Sequence, residues 1–230
     1  MDTSYITAIY QAFAQGGIWM WAIFAVQVVS VAIIAERIFH LYILRAPQQR
    51  KIVDQFERDI KSGDLERAAM AKPPMIGKAH AIYAVVNAGA QAAINMGGKE
   101  EIQSKMDEIL LDENEKLEKR TGFLAMFGNV GTLLGLLGTI VGLIKAFASV
   151  SGLDPIEKAA RLSEGIAMAM NTTAYGLIMA VPALIMYAVL QNRANRLSSD
   201  LNQAALKAYN WLSFNNDQVT STQKLRVRKG

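Results

Sequence analysis

The chain has 230 residues, of which 52% are hydrophobic and 19% are charged, and its formal net charge is +4. It contains no cysteine, which excludes disulfides, thiolate catalysis and cysteine-based metal sites. Three stretches are free of charge, at Gly16–Ala35, Phe123–Ile144 and Gly165–Leu190, and each is long enough to cross a bilayer core of about 30 Å as a helix. We therefore predict an all-α integral membrane protein with three transmembrane helices, whose modest positive charge requires no nucleic-acid partner.

The N-terminal part comprises a surface segment and the first span. Residues 1–15 place apolar side chains at helical spacing, which predicts a short amphipathic helix on the outer face of the membrane. Residues 16–44 form the first transmembrane helix. No basic residue precedes Arg37 and no A-x-A-like cleavage site is present, so we expect this span to be a retained anchor and not a signal peptide.

Residues 45–121 are predicted to form a cytoplasmic helical domain. Gly63 suits the end of one helix and Asp64 the N-cap of the next. Three helices are predicted here, at Gln48–Lys61, Leu65–Ala71 and Lys78–Met96. The charged, periodic stretch that follows contains no proline, so we expect one long helix over Lys99–Val150 that is half cytosolic and half membrane-embedded.

The second span, residues 122–150, contains five glycines at alternating steps of three and four, which places them on one stripe of a helix. These are Gly128, Gly131, Gly135, Gly138 and Gly142. In water each would cost roughly 1 kcal/mol relative to alanine, whereas in a bilayer the stripe lets another backbone approach closely. The alternative, a buried helix of a large soluble protein, is disfavoured because the apolar run is long enough to span a membrane.

Residues 151–163 are predicted to be an outer loop, and residues 164–191 the third span. That span also has a small-residue face, so spans two and three can pack together. Its members are Ala169, Thr173, Gly176, Ala180 and Ala183. Pro182 removes a backbone hydrogen bond and is expected to kink the helix. Residues 192–230 are predicted to continue inward as a helix and to end in a disordered tail from Asn215.

The distribution of lysine and arginine predicts the topology. Basic residues follow the first span (Arg45, Arg50) and the third (Arg193, Arg196), and none precedes the first. Because basic residues stay on the cytoplasmic side, we expect an outside N-terminus, a large inside segment and an inside C-terminus.

The polar residues within the spans are the candidate functional residues. Thr132 and Thr139 lie seven residues apart beside the glycine stripe, and the third span holds three consecutive polar residues, Asn171, Thr172 and Thr173. These three cannot all face one way, so at least one meets a neighbouring subunit or a water-filled path. Interhelical hydrogen bonding is the alternative role.

Lys145 and the missing acidic residues complete this set. Lys145 is either a functional cation or a lysine that extends to the outer interface. No carboxylate lies near the middle of any span. The chain therefore either does not couple ion flow to motion or takes the necessary carboxylate from a partner.

At this point two motifs indicate a family. LLGLLGTIVGLIKAF (Leu133–Phe147) resembles the second-span motif of the MotA/TolQ/ExbB proton-channel family, and GIAMAMNTTAYGLIMAVPALIMYAVL (Gly165–Leu190) resembles its third-span motif. Ala35-Glu36-Arg37 and Ser62-Gly63-Asp64 with Ala68-Ala69 are similar to two further family elements. Three spans agree with the TolQ/ExbB branch, because the MotA branch has four.

The resemblance implies a homopentamer in the bacterial inner membrane that encloses two single-span helices of an ExbD/TolR-like partner, which would carry the membrane aspartate. It further implies a TonB/TolA-like or motility effector and surrounding phospholipid. The ion-pore threonines of the family correspond to Thr139 and Thr173, and Thr132, Asn171 and Thr172 would add oxygen atoms to the lining. No cofactor is expected beyond the transported proton, with sodium as the alternative.

The chain departs from the family pattern at Met168, where TolQ and ExbB often have glutamate, and at Gly131-Thr132, where the family usually has Ala-Pro. Two other classes of function compete with the motor subunit. One is a passive membrane scaffold. The other is a membrane enzyme, which the chain disfavours because it has only His40 and His80 and no intramembrane set of nucleophile, base or metal ligands. The process that such a motor would energise, whether outer-membrane transport, envelope constriction or gliding motility, is left open by the sequence.

Overall fold

The computed structural model describes residues 17–45, 49–73, 81–95, 97–152 and 154–227, with side chains as far as residue 215. The predicted amphipathic helix within residues 1–15 lies outside these residues. All regular elements of the described residues are helical. They are α1 (Gly17–Ile38), a π-helical turn (Phe39–Leu44), α2 (Gln49–Lys61), α3 (Leu65–Met70), α4 (Ala81–Ile94), α5 (Lys99–Glu118), α6 (Thr121–Ala148) and α7 (Pro155–Val227).

The chain divides into two compact units. The first, which we call the span unit, comprises the residues up to Arg37 together with Arg120–Leu190. The second, the helical domain, comprises Ile38–Lys119 and the residues from Gln191 onward. Helix α7 contributes its first half to the span unit and its second half to the helical domain.

The span unit contains the apolar parts of α1, α6 and α7. Three helical stretches, Gly17–Leu44, Lys99–Ala148 and Pro155–Asn215, are long and apolar enough to cross a membrane, as the sequence predicts. Ile23 of α1 packs with Met179 and Ala180 of α7 in a buried cluster. Many large apolar side chains point outward, for example Leu133, with 63% of its surface exposed. Such a surface suits lipid or a further copy of the chain.

The helical domain has a conventional apolar core. Val53, Phe56 and Ile60 of α2 pack with side chains of α4 and with the second half of α7. Polar contacts fix the start of α2, because its Gln49 N–H donates to Asp200 and the Gln49 side chain accepts from the Ile82 N–H.

The predicted helices of this domain and the turn between the first two are confirmed within the described residues. Gly63 has a φ of +81°, which favours glycine. The Asp64 carboxylate accepts from the Arg67 N–H at 3.3 Å and so caps α3.

The prediction of one helix over Lys99–Val150 is wrong, because the chain leaves the helical path between α5 and α6. Arg120 has a φ of +64°, a left-handed conformation that costs a non-glycine residue roughly 1–3 kcal/mol. Its guanidinium Nη1 contacts both carboxylate oxygens of Glu36 at 2.7 Å. Neither glycine nor proline marks the interruption.

Two predicted boundaries near α7 also need correction. The helix begins at Pro155, inside the predicted loop 151–163, because the Asp154 carboxylate accepts from the backbone N–H groups of Ile156 and Glu157. Its end lies at Val227, beyond the predicted start of a disordered tail at Asn215. No proline or glycine interrupts the helix after Pro182, and α7 continues through that proline.

Candidate functional site

The glycine stripe of α6 forms a close seam with α7. All five glycines (Gly128, Gly131, Gly135, Gly138 and Gly142) are buried, and an added Cβ on any of them would meet α7. The seam partners on α7 include Ala169, Thr172, Thr173, Gly176 and Met179. The small-residue faces of α6 and α7 thus pack against each other within a single chain.

The backbones approach most closely at Gly176. A Cβ on Gly176 would lie 2.7 Å from the Gly131 carbonyl oxygen and 3.0 Å from the Gly135 Cα. A Cβ on Gly135 would lie 3.2 Å from the Thr173 Cα. Backbone atoms on both sides leave no flexible group that can yield, so glycine is the residue that this spacing permits.

Thr173 joins the two helices at this close approach. Its Oγ1 donates to the Gly135 carbonyl oxygen at 2.9 Å, and the residue is half-buried. On α6, Thr139 donates to Leu136 O at 2.6 Å and Thr132 donates to Gly128 O at 3.1 Å, both within their own helix. A hydroxyl that donates its proton keeps its oxygen lone pairs, so these threonines can still accept a hydrogen bond.

Helix α1 covers one side of the seam, and the threonines lie on the other. The Tyr175 hydroxyl donates to Gln27 Oε1 at 2.5 Å, which fixes α1 against one side of α7. Thr173, two residues before Tyr175, points roughly 200° away around the helix. Leu134 packs on the cluster that includes Ile23 of α1, and by the same geometry Thr132 points away from it. We call this side of the seam the hydroxyl edge, formed by Thr132, Thr139 and Thr173.

The three consecutive polar residues of α7 face different ways, as the sequence argument requires. Thr172 is only 2% exposed, and its Oγ1 donates to Met168 O while its methyl group fills the space over Gly138. This placement favours a packing role for Thr172 and leaves it no exposed surface for the predicted pore lining. Asn171 is exposed on a face of α7 distinct from that of Thr173.

The comparison with known protein families decides the family. The model of the MotA/TolQ/ExbB proton channel family matches residues 78–203, which is more than half of the chain and includes all of α6 and the seam. The chain belongs to the MotA/TolQ/ExbB family. This is a family of proton channels and not of enzymes.

Individual relatives carry TolQ and ExbB names. The chain is 37% identical to the Tol-Pal system protein TolQ of Haemophilus influenzae over 115 residues, which cover 50% of the chain and 48% of that relative. It is 25% identical to the biopolymer transport protein exbB1 of Vibrio cholerae over 198 residues, 86% of each protein. The chain thus spans about half the length of TolQ and most of exbB1.

Several polar residues of the span unit were not singled out by sequence reasoning. Gln27 and Ser30 interrupt the apolar run of α1 three residues apart, and this spacing was the available signal for a polar side of that helix. Ser30 is 2% exposed, and its hydroxyl has no hydrogen-bond partner among the described residues. In this MotA/TolQ/ExbB member, α1 is therefore attached to α7 by a polar contact and not by apolar packing alone.

The remaining charged candidate, Lys145, is exposed in the last turn of α6. A cation there interacts favourably with the C-terminal end of the helix dipole and can reach the membrane surface. Within the described residues, no group of three or more His, Asp or Glu side chains is placed to hold a metal ion.

Proposed function

We propose that this chain is an ion-channel subunit of the bacterial inner membrane that converts the proton motive force into mechanical work on the cell envelope, together with an ExbD/TolR-like partner. The observation that carries the proposal is the hydroxyl edge beside the α6–α7 seam. It places hydroxyl oxygen atoms along α6 and α7, on the side that α1 leaves uncovered.

Several copies of the chain are needed to enclose a path. One chain exposes large apolar side chains such as Leu136, Ile140 and Leu177 around its spans, and a single seam encloses no lumen. We propose a homopentamer in which the hydroxyl edges of five chains face a common axis. Two copies of the single-span partner would occupy that axis.

The partner supplies the titratable group. The charge-free runs of α6 and α7 contain no carboxylate, and Met168 stands where the third-span motif of the family that the chain resembles often has glutamate. A carboxylate in an apolar lumen is costly to ionise unless donors or water face it. Thr173 and Thr139 provide hydroxyls that can exchange donor and acceptor roles as the partner aspartate gains and loses a proton.

Charge placement and the relatives support the orientation and the client process that we propose. The absence of basic residues before the first span, with Arg45 and Arg50 after it, favours a periplasmic N-terminus and a cytoplasmic C-terminus. Relatives named for the Tol-Pal system and for biopolymer transport favour a client in the cell envelope. Energised outer-membrane transport, envelope constriction and gliding motility are the candidates.

Ion flux into liposomes tests the proposal. The chain is reconstituted with its single-span partner, and flux is measured under a proton gradient and, separately, under a sodium gradient. We expect proton flux in the wild type and its loss in Thr173→Val, which keeps the side-chain shape and removes the hydroxyl.

Thr172→Val is the matched control, because Thr172 is buried and bonds only within its own helix. It should keep the wild-type flux. Absence of flux under either gradient, with both proteins assembled, would favour the passive scaffold. Flux under the sodium gradient alone would favour a sodium-driven motor. Wild-type flux in Thr173→Val would remove the hydroxyl edge from the mechanism.

A further inference from the structure

A guanidinium and an aromatic ring meet where the charge-free run of α7 ends. Arg193 lies three residues beyond Leu190, and its guanidinium carbon is 5.0 Å from the centroid of the Tyr42 ring. Among the described residues this guanidinium has no hydrogen-bond or ion-pair partner, and its Nε is buried without an acceptor. A guanidinium carries five N–H donors, so this side chain retains an unfilled capacity for oxygen ligands.

Exposed apolar side chains flank Tyr42 in sequence. Tyr42 belongs to the π-helical turn, whose Phe39 and Ile43 are 52% and 53% exposed. Two acidic side chains of the helical domain are engaged elsewhere. Glu113 pairs with Arg45 and Lys116, and Asp200 pairs with Arg50 and the Gln49 N–H.

We propose that Arg193 and Tyr42 bind the phosphate of an anionic phospholipid. The planar guanidinium fork matches phosphate oxygens, and stacking on Tyr42 fixes the plane of the fork. The position just beyond a transmembrane run is where headgroups lie, and tyrosine is enriched at that depth. Phe39 and Ile43 offer apolar surface to the upper part of an acyl chain. The lipid would thereby hold the π-helical turn and α7 together at one membrane surface.

Native mass spectrometry of the full chain in mild detergent tests this site. The protein is titrated with phosphatidylglycerol, with phosphatidylcholine and with inorganic phosphate. We expect the wild type to retain phosphatidylglycerol in preference to phosphatidylcholine, and inorganic phosphate not to displace it. Arg193→Gln should lower phosphatidylglycerol retention about fivefold, the effect expected for one basic residue at an anionic lipid.

Arg196→Gln is the matched control, because Arg196 is exposed one turn further along α7. It should retain lipid as the wild type does. Arg193→Lys keeps the charge without the planar fork, so its retention should lie between those of the wild type and Arg193→Gln. This variant tests the site even if Arg193→Gln fails to fold, which circular dichroism would reveal.

Three outcomes would overturn the assignment. The wild type could retain the two lipids equally, which would indicate that the Arg193 guanidinium pairs with a protein acceptor, such as a carboxylate of another copy, and not with a lipid phosphate. Arg193→Gln and Arg196→Gln could lose lipid equally, which would indicate general surface charge. Displacement of the lipid by inorganic phosphate would identify a site for free phosphate instead.

Discussion

Gly176→Ala is the sharpest test of the seam, because it adds one methyl group where two backbones touch. The new Cβ would lie 2.7 Å from the Gly131 carbonyl oxygen, closer than a Cβ atom normally comes to any heavy atom. It would also lie 3.0 Å from the Gly135 Cα. Relief therefore requires one helix to move away from the other along the seam.

The magnitude follows from two opposing effects. Overpacking a close contact costs about 1–3 kcal/mol, and the higher helix propensity of alanine returns up to about 1 kcal/mol. Because both near contacts are with backbone atoms, we expect the upper part of the overpacking range. The net loss in free energy of unfolding should be about 1–2 kcal/mol.

Two further glycine substitutions provide graded controls. A Cβ on Gly131 would meet Met179 Sδ at 2.4 Å, but the methionine side chain is flexible and can turn aside. A Cβ on Gly122, near the start of α6, meets nothing within 4 Å. Stability should therefore fall in the order Gly122→Ala, Gly131→Ala, Gly176→Ala.

Unfolding in mixed micelles, followed by far-ultraviolet circular dichroism as the denaturing detergent fraction rises, measures these differences. Gly122→Ala should be at least as stable as the wild type, because alanine has the higher helix propensity and its Cβ meets no other atom there. If Gly176→Ala proved as stable as Gly122→Ala, the close approach of α6 and α7 at this residue would be refuted. If Gly131→Ala were the least stable of the three, a contact with the flexible Met179 side chain would cost more than one with backbone atoms, contrary to our expectation.

Two other predictions concern polar contacts. Tyr175→Phe removes the hydrogen bond to Gln27 and should lower the free energy of unfolding by about 0.6 kcal/mol. Adding Gln27→Leu to that variant should cause no further loss of stability through this contact. If the two substitutions lowered the free energy of unfolding additively, the pairing would be contradicted. In α5, outside the membrane-spanning runs, burial tends to raise the pKa of Glu113, but hydrogen bonds from Lys116 and Arg45 outweigh it, so the pKa lies below its ordinary value of 4.5. Glu113 therefore stabilises the fold above that value, and the contribution is lost as pH falls through the lower folded pKa. In thermal unfolding at a series of acid pH values, the melting temperature of Glu113→Gln should fall less steeply with falling pH than that of the wild type. An equally steep fall would show that this carboxyl does not contribute to the acid sensitivity.

The helices that follow local rules were predictable from sequence. Three charge-free runs give the spans, and the turn between α2 and α3 carries its own markers in Gly63 and Asp64. The interruption at Arg120 carries no such marker, because a distant residue, Glu36, forms the ion pair there. The early start of α7 was readable from Asp154 and Pro155, a capping residue followed by a favoured first helical residue.

The candidate site divides in the same way. Periodicity places five glycines on one stripe, so the direction of the stripe was predictable, whereas the atoms it meets on α7 were not. Gln27 and Tyr175 lie 148 residues apart, and nothing in the local pattern of either span pairs them. Burial of Thr172 against Gly138 likewise depends on how the two helices are rotated, which spacing alone leaves open.

The hydrogen bond of Thr173 adds a constraint to the proposed ion path. A hydroxyl has one proton to donate, and here Oγ1 donates it to the Gly135 carbonyl oxygen. In this state Thr173 can only accept, which suits a protonated partner carboxyl. To donate to the ionised carboxylate, the hydroxyl must rotate and leave Gly135 O without that bond. On the proposed function, each change in the charge of the partner would therefore weaken or restore one contact between α6 and α7. Valine at this position could neither accept from the acid nor join the helices, so it would remove both effects at once.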